Sequence, residues 1–240
     1  MFELDKKSLE AALALAATTF GFIAYWFISQ SEKGKAFFEK KYPHQTDKQH
    51  LYWVLFQRYT GFIFLGVFPS LLMFLGSEGN FLANYGLKFP QNIETFYWII
   101  GLVAIVIPLN FWNAKKADNL AVYPQIRLSV WTKKIFFQEY SSWIAYLLAY
   151  ELLFRGFLLF ATYRVAGAWV AIWLNVAIYA IAHIPKGQKE AVGAIPLGLL
   201  LSYLTLKTGD IWIALIVHIA LALSNSFFSF LAQPAMKYEG

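Results

Sequence analysis

Seven stretches of this chain are apolar enough, and nearly long enough, to cross a lipid bilayer. They are residues 9–29, 51–75, 95–112, 143–163, 168–184, 191–206 and 211–232. A crossing helix needs about 20 mainly apolar residues, because each residue advances about 1.5 Å through a hydrocarbon core roughly 30 Å thick. In lipid every backbone N–H and C=O must be satisfied within the protein, which leaves helices as the natural spanning element. The expected fold is therefore all-α, a multi-pass transmembrane helical bundle of about seven spans. The fifth and sixth stretches are short, and Pro185 and Pro196 stand where a helix can end or kink, so counts from six to eight also fit. The composition agrees, since 59% of residues are hydrophobic and 14% charged, against about half apolar in soluble domains. The first run continues through "FGFIAYWFIS", too long and too aromatic for the core of a cleaved leader, and reads as a span.

The basic residues set an orientation. Lys33, Lys35, Lys40, Lys41 and Lys48 follow the first span, and Lys115, Lys116, Arg127, Lys133 and Lys134 follow the third, whereas the alternate loops hold only Lys88, Arg164 and Lys207. Lysine and arginine are retained on the cytoplasmic side. With seven spans the N-terminus is then expected outside and the C-terminus inside, in the cell membrane. Segment 114–142 contains "VWTKKIFFQEYSSW", which suits either an amphipathic helix at the cytoplasmic interface or an ordinary connecting loop. The net charge of +6 is spread through short loops rather than gathered in a stripe, so nucleic acid is not an expected partner and the lipid bilayer is. The absence of cysteine excludes disulfides, thiolate metal sites and cysteine nucleophiles.

Several polar side chains sit inside the apolar stretches. Glu151 and Arg155 in "YELLFRG" have the i, i+4 spacing that puts them on one helix face, the acid N-terminal to the base. They can neutralise one another as a purely structural pair. Yet each charge near the bilayer centre costs on the order of 2.5 to 3.5 kcal/mol, which leucines would avoid, so a functional role is the default. His183 ends the fifth stretch, with Tyr179 and Asn175 one and two turns earlier on the same face, and is also readable as a histidine capping a last turn. His218 lies well inside the last stretch, and Asn225 follows it by about two turns. Burying these groups against each other in one cavity is cheaper than finding each a separate partner, so Glu151, Arg155, His183, His218 and Asn225 are expected to converge. Such a set offers hydrolysis: a carboxylate or imidazole activates water while arginine, histidine or asparagine stabilises an oxyanion. No cofactor is expected; zinc on His183, His218 and Glu151 is the alternative, although no H-E-x-x-H or other tight ligand spacing is present.

The order of these residues resembles the CPBP family, the CAAX-processing and bacteriocin-processing intramembrane endopeptidases, also called Abi. Its signature is E-E-x-x-x-R on one span, F-x-x-x-H on a later one and H-x-x-x-N on a third. Here "YELLFRG", "YAIAH" and "HIALA" take those places. The resemblance covers roughly residues 143–226 and divides the chain into N-terminal helices with a cytoplasmic interfacial segment, 1–142, and a catalytic core, 143–240. It implies a protease whose substrate is a membrane-associated peptide or protein, with Glu151 and Arg155 as a supporting pair and His183 and His218 positioning water and the substrate carbonyl. Two positions depart from the signature. Tyr150 stands for the first glutamate, the family's proposed base, and a phenol with a reference pKa of about 10 is a poor base near neutral pH. Ala222 stands for the asparagine, which leaves Asn225, almost one turn on, as a substitute, and Glu151, as the general base itself or its helper, with Glu190 at the cytoplasmic mouth to aid it. An active endopeptidase, a degenerate member serving as membrane scaffold or substrate-binding protein, and a proton-coupled transporter all use such residues. The last lacks the repeated halves of many transporters. Arg58 in the second stretch is not assigned to the site, and Trp143 is taken as an interface anchor.

Overall fold

The computed structural model describes residues 5–77 and 79–239. Helix α1 (Lys6–Ser29) starts where the Asp5 carboxylate accepts the Ser8 N–H at 2.7 Å. Helix α2 (Glu32–Lys41) starts where Ser31 accepts the Gly34 N–H at 3.1 Å. Short oxygen-bearing side chains at such positions satisfy N–H groups that the first helical turn leaves open. Helix α3 (Thr46–Gly76) crosses next and widens into a π-helical turn over Phe62–Val67. The short α4 (Phe81–Asn84) precedes α5 (Ile93–Asn113), which is capped by Asn92 and runs on through Pro108. After the one-turn α6 (Ala117–Leu120) and the two-residue strand β1 (Val130–Trp131), α7 (Lys133–Ala166) follows, with its own π-helical segment at Leu152–Leu158. The bundle closes with α8 (Ala168–His183), α9 (Gln188–Thr208) and α10 (Trp212–Ala232). Strand β2 (Lys237–Tyr238) then pairs in parallel with β1.

All seven expected stretches are helices. Six are long and apolar enough to cross a membrane, and α8 is a shorter apolar helix of 16 residues. Pro185 lies in the 3-10 turn Ile184–Lys186 that ends α8, but Pro196 is carried inside α9. The stretch from Lys133 onward differs from the sequence-based expectation. It is neither a loop nor a separate interfacial helix but the first turns of α7, whose 34 residues begin ten positions before Trp143, so the division at 142/143 falls inside a helix.

Helix α7 lies at the centre: 78% of its most apolar window is buried, against 56% for α10 and 6% for α5. Its buried side chains Leu147, Leu153, Phe154, Phe157 and Leu158 form the main core, while α5 turns Ile100, Ile105 and Leu109 outward to lipid. Polar groups on α7 and α10 are thus the ones farthest from acyl chains. Lipid is as apolar as leucine, so close backbone approach and packing hold such helices together. At Gly66, in the π turn of α3, an added Cβ would come 2.7 Å from Cβ of Ala149 on α7. Gly66→Ala is therefore expected to lower stability by about 1 to 3 kcal/mol through forced separation of α3 from α7. Gly101→Ala, where nothing lies within 4 Å, should be neutral or mildly stabilising, as unfolding in mixed detergent micelles would show.

Candidate active site

Glu151 is the last residue of α7 before its π segment, in which Arg155 lies. Both are fully buried. Arg155 Nη1 is 3.3 Å from Glu151 Oε2 and donates to Oε1 at 3.4 Å. Its Nε and Nη2 have no hydrogen-bond acceptor; instead the guanidinium lies over the Tyr179 ring of α8, 4.1 Å from the centroid. That contact substitutes a ring face for missing oxygens. The π segment is held from α8 as well, since Asn175 donates its amide to the Phe154 carbonyl at 2.6 Å and accepts from Ser202 at 3.2 Å.

His218 of α10 completes the cluster with Nδ1 2.6 Å from Glu151 Oε1. A carboxylate only accepts, so Nδ1 is the donor and Nε2 carries the lone pair of the neutral ring. His183 donates Nδ1–H to the Tyr179 carbonyl at 2.8 Å, the local bond expected of a histidine in a last helical turn. The Tyr150 ring lies nearly perpendicular to both imidazoles, its centroid 6.1 Å from His183 and 5.9 Å from His218. Its hydroxyl is buried without a partner.

A cavity of about 270 Å³ meets this cluster and is lined by Tyr179, His183, His218 and Asn225. Glu151 and Arg155 are not on its wall; Glu151 sits one hydrogen bond back, behind His218, and Arg155 lies against the Tyr179 ring. Asn225 gives one amide hydrogen to Asn119 at 3.1 Å, and Asn119 donates to Ser229 at 2.8 Å. Ala222 also faces the cavity. Glu190, expected at the mouth, is there and accepts from the Tyr123 hydroxyl at 3.1 Å. Burial pushes the Tyr123 phenol well above its usual range, and Glu190 adds to the shift. Asn113, Asn119, Tyr123 and Glu190 continue into a wider vestibule of about 680 Å³ at the end of the bundle. At its rim the Lys189 ammonium bonds Asp118 and holds that carboxyl below the usual carboxylate range.

The structure thus brings His183, His218 and Asn225 onto one cavity, with Glu151 and Arg155 behind its wall. It does not assemble a zinc ligand set from His183, His218 and Glu151. Among the described residues no three histidines or carboxylates are placed to share a metal, and the Glu151 oxygens face His218 and Arg155. Sequence reasoning missed Glu139, buried on α7, where it accepts from Arg58 at 2.7 Å, Trp143 at 3.0 Å and Ser226 at 2.6 Å. Trp143 is accordingly no interface anchor but a buried wall of the cavity. Extending the helix of the fourth span by three turns would have shown Glu139, Ser142 and Trp143 at helical spacing.

Removing one member of a buried ion pair leaves the other charge uncompensated, at a cost of about 3 to 5 kcal/mol. Glu151→Gln should be destabilised by that amount, and Glu151→Gln with Arg155→Met should recover most of it, since the double change removes both charges. Detergent unfolding of the two single variants and the double variant measures the coupling.

Residues 134–224 match the family model described as Rce1-like, type II CAAX prenyl endopeptidase. Among curated proteins and among solved structures, none matches the chain. The match runs from the first turn of α7 into α10 and contains Glu151, Arg155, His183 and His218, with Asn225 one residue past its end. This part of the chain is therefore similar to the type II CAAX prenyl endopeptidase Rce1-like family.

Proposed function

We propose that the protein is an intramembrane endopeptidase that hydrolyses a peptide bond in the cavity beneath His183 and His218. The observation that carries this is the 2.6 Å hydrogen bond from His218 Nδ1 to Glu151. It orients the imidazole and compensates the charge that develops on it, as a carboxylate does behind a general-base histidine. His218 Nε2 takes a proton from water as the water oxygen attacks the scissile carbonyl carbon. The resulting imidazolium stays bonded to Glu151, whose countercharge is Arg155. Asn225 has given one amide hydrogen to Asn119, and its second stabilises the oxyanion. Collapse of the tetrahedral intermediate breaks the C–N bond, and the leaving amine takes the proton from His218. Glu151 acts as the helper in this scheme rather than as the base, in keeping with its place behind the cavity wall.

The family description supports a substrate with a C-terminal C-a-a-X sequence and a prenylated cysteine. The basic loops after α1 and α5 support a cytoplasm-facing cavity in the cell membrane, with the N-terminus outside and the C-terminus inside. The mouth lies at the end of the bundle where α5 and α8 finish and α9 begins, beside Lys115, Lys116 and Lys189.

One observation favours a second reading. Tyr150 places a ring beside both imidazoles where the family signature has a carboxylate, as a degenerate member that binds substrate without cutting it would. The two readings part on simple variants. His218→Ala is expected to lower kcat/KM by about 100- to 10,000-fold while the protein still inserts, whereas Tyr150→Phe stays within about threefold of wild type because the lost hydroxyl has no partner. Cleavage of a prenylated peptide by purified protein measures both; unchanged cleavage by His218→Ala would overturn the mechanism. Substrate binding by an uncleaving wild type would favour the second reading.

A further inference from the structure

Arg58 and Glu139 form a second buried ion pair, joining α3 to α7 at 2.7 Å. Glu139 is saturated: Oε2 accepts from Arg58, and Oε1 accepts from Trp143 and Ser226. Arg58 is not. Its Nη1 donates to Glu139 Oε2, to the Glu139 carbonyl at 3.1 Å and to Ser142 at 2.9 Å, and its Nη2 donates to Gln125 at 3.1 Å. Its Nε–H, on a residue only 3% exposed, has no acceptor. A guanidinium has five N–H donors in a planar fork, and the edge formed by Nε and Nη2 is the one left incomplete. A pair kept only to hold two helices together would gain nothing from a buried donor left open, which costs about 1 to 3 kcal/mol.

Arg58 also lines a cavity of about 230 Å³, together with Tyr25, Gln30, Gln57, Gln125 and Tyr146. Phenols, primary amides and a guanidinium make this a hydrogen-bonding chamber. Trp143 is one of its walls and is also a wall of the catalytic cavity. The indole is fixed between the two spaces, bonded to Glu139 at Nε1 and lying 4.2 Å from the Arg58 guanidinium carbon.

Building on the endopeptidase function proposed above, we propose that this chamber is a second subsite, which binds the terminal carboxylate of a substrate whose scissile bond lies across Trp143. Two carboxylate oxygens match two parallel N–H groups of an arginine edge, a fit that a carboxamide or a hydroxyl cannot reproduce. Arg58 then bridges two carboxylates, Glu139 through Nη1 and the ligand through Nε and Nη2, while the amide of Gln30 or Gln125 serves the outer lone pairs. A C-terminal C-a-a-X substrate ends in such a carboxylate, at most about 10 Å from the cysteine even when fully extended. The phosphate of an anionic lipid presents a similar pair of oxygens, and the test separates the two.

The probe is one fluorogenic peptide ending in a prenylated C-a-a-X sequence, made both as the free acid and as the C-terminal carboxamide, with the full chain in nanodiscs of zwitterionic lipid. The carboxamide is expected to show a KM about tenfold or more above that of the acid at a kcat within about threefold, the scale of one charge-assisted hydrogen-bond pair. Arg58→Gln should abolish the difference. Gln30→Ala and Gln125→Ala, which leave the ion pair intact, should narrow it if Arg58→Gln fails to fold. Equal KM values for acid and carboxamide with wild type overturn the subsite. Competitive loss of the acid's advantage when phosphatidylglycerol is added to the nanodiscs assigns the chamber to a lipid headgroup and overturns it too. If neither peptide is cut, fluorescence polarisation with the same pair still decides. Tighter binding of the acid keeps the subsite while the endopeptidase function falls, and equal binding removes the subsite.

Discussion

A carboxylate buried at the centre of a membrane bundle has to be compensated from within the protein, and the arrangement around Glu151 follows from that requirement. Arg155 compensates it from the same helix and His218 from α10. Tyr179 lies against the guanidinium, whose Nε and Nη2 find no oxygen. Each partner belongs to a different part of the polar lining, so satisfying one charge draws α7, α8 and α10 together. The cavity lies where these helices meet. Compensation also defines the chemistry, because the same hydrogen bond that satisfies Glu151 fixes which nitrogen of His218 can face a substrate.

The backbone contributes to this as directly as the side chains. Regular α-helix gives way to π-helical geometry at Leu152–Leu158, immediately after Glu151. Such widened turns loosen the backbone ladder and are frequent at functional sites. Here the Phe154 carbonyl is taken up by Asn175, so the distortion is tied to α8, the helix that carries Tyr179 and His183. A second π turn at Phe62–Val67 faces α7 through the close approach of Gly66 to Ala149. Two irregular turns in neighbouring spans are tolerable because their polar backbone groups stay inside the protein and away from lipid.

Buried charge recurs one helical stretch away, and the comparison is informative. Both ion pairs place a carboxylate on α7 opposite a guanidinium, and both guanidiniums lie against an aromatic ring, Tyr179 in one case and Trp143 in the other. Around Glu151 the carboxylate hands on to an imidazole that faces a cavity. Around Glu139 the carboxylate is closed off by Trp143 and Ser226, and it is the arginine that retains donor capacity. In the proposed reading one presents a base and the other an anion receptor, with Trp143 on a wall of both spaces.

Hydrophobic run length alone determined the spans, because the thickness of the bilayer sets a minimum that few soluble helices share. It also marked Glu151, Arg155, His183 and His218, since a charge or imidazole inside such a run is costly enough to be conspicuous. Their order along the chain was sufficient to expose the family resemblance that residues 134–224 carry. What the sequence left open were pairings between groups distant in the chain. Glu151 and His218 are 67 positions apart, and Arg58 and Glu139 are 81 apart. Hydropathy treats Lys133–Tyr140 as loop because charge and aromatics alternate there, yet in three dimensions Glu139 turns inward and the helix continues. Periodicity reports which face of a helix a residue occupies. Only the packed bundle decides what that face meets, because helices in lipid associate through close fit and polar contacts rather than through any tendency readable in one helix alone.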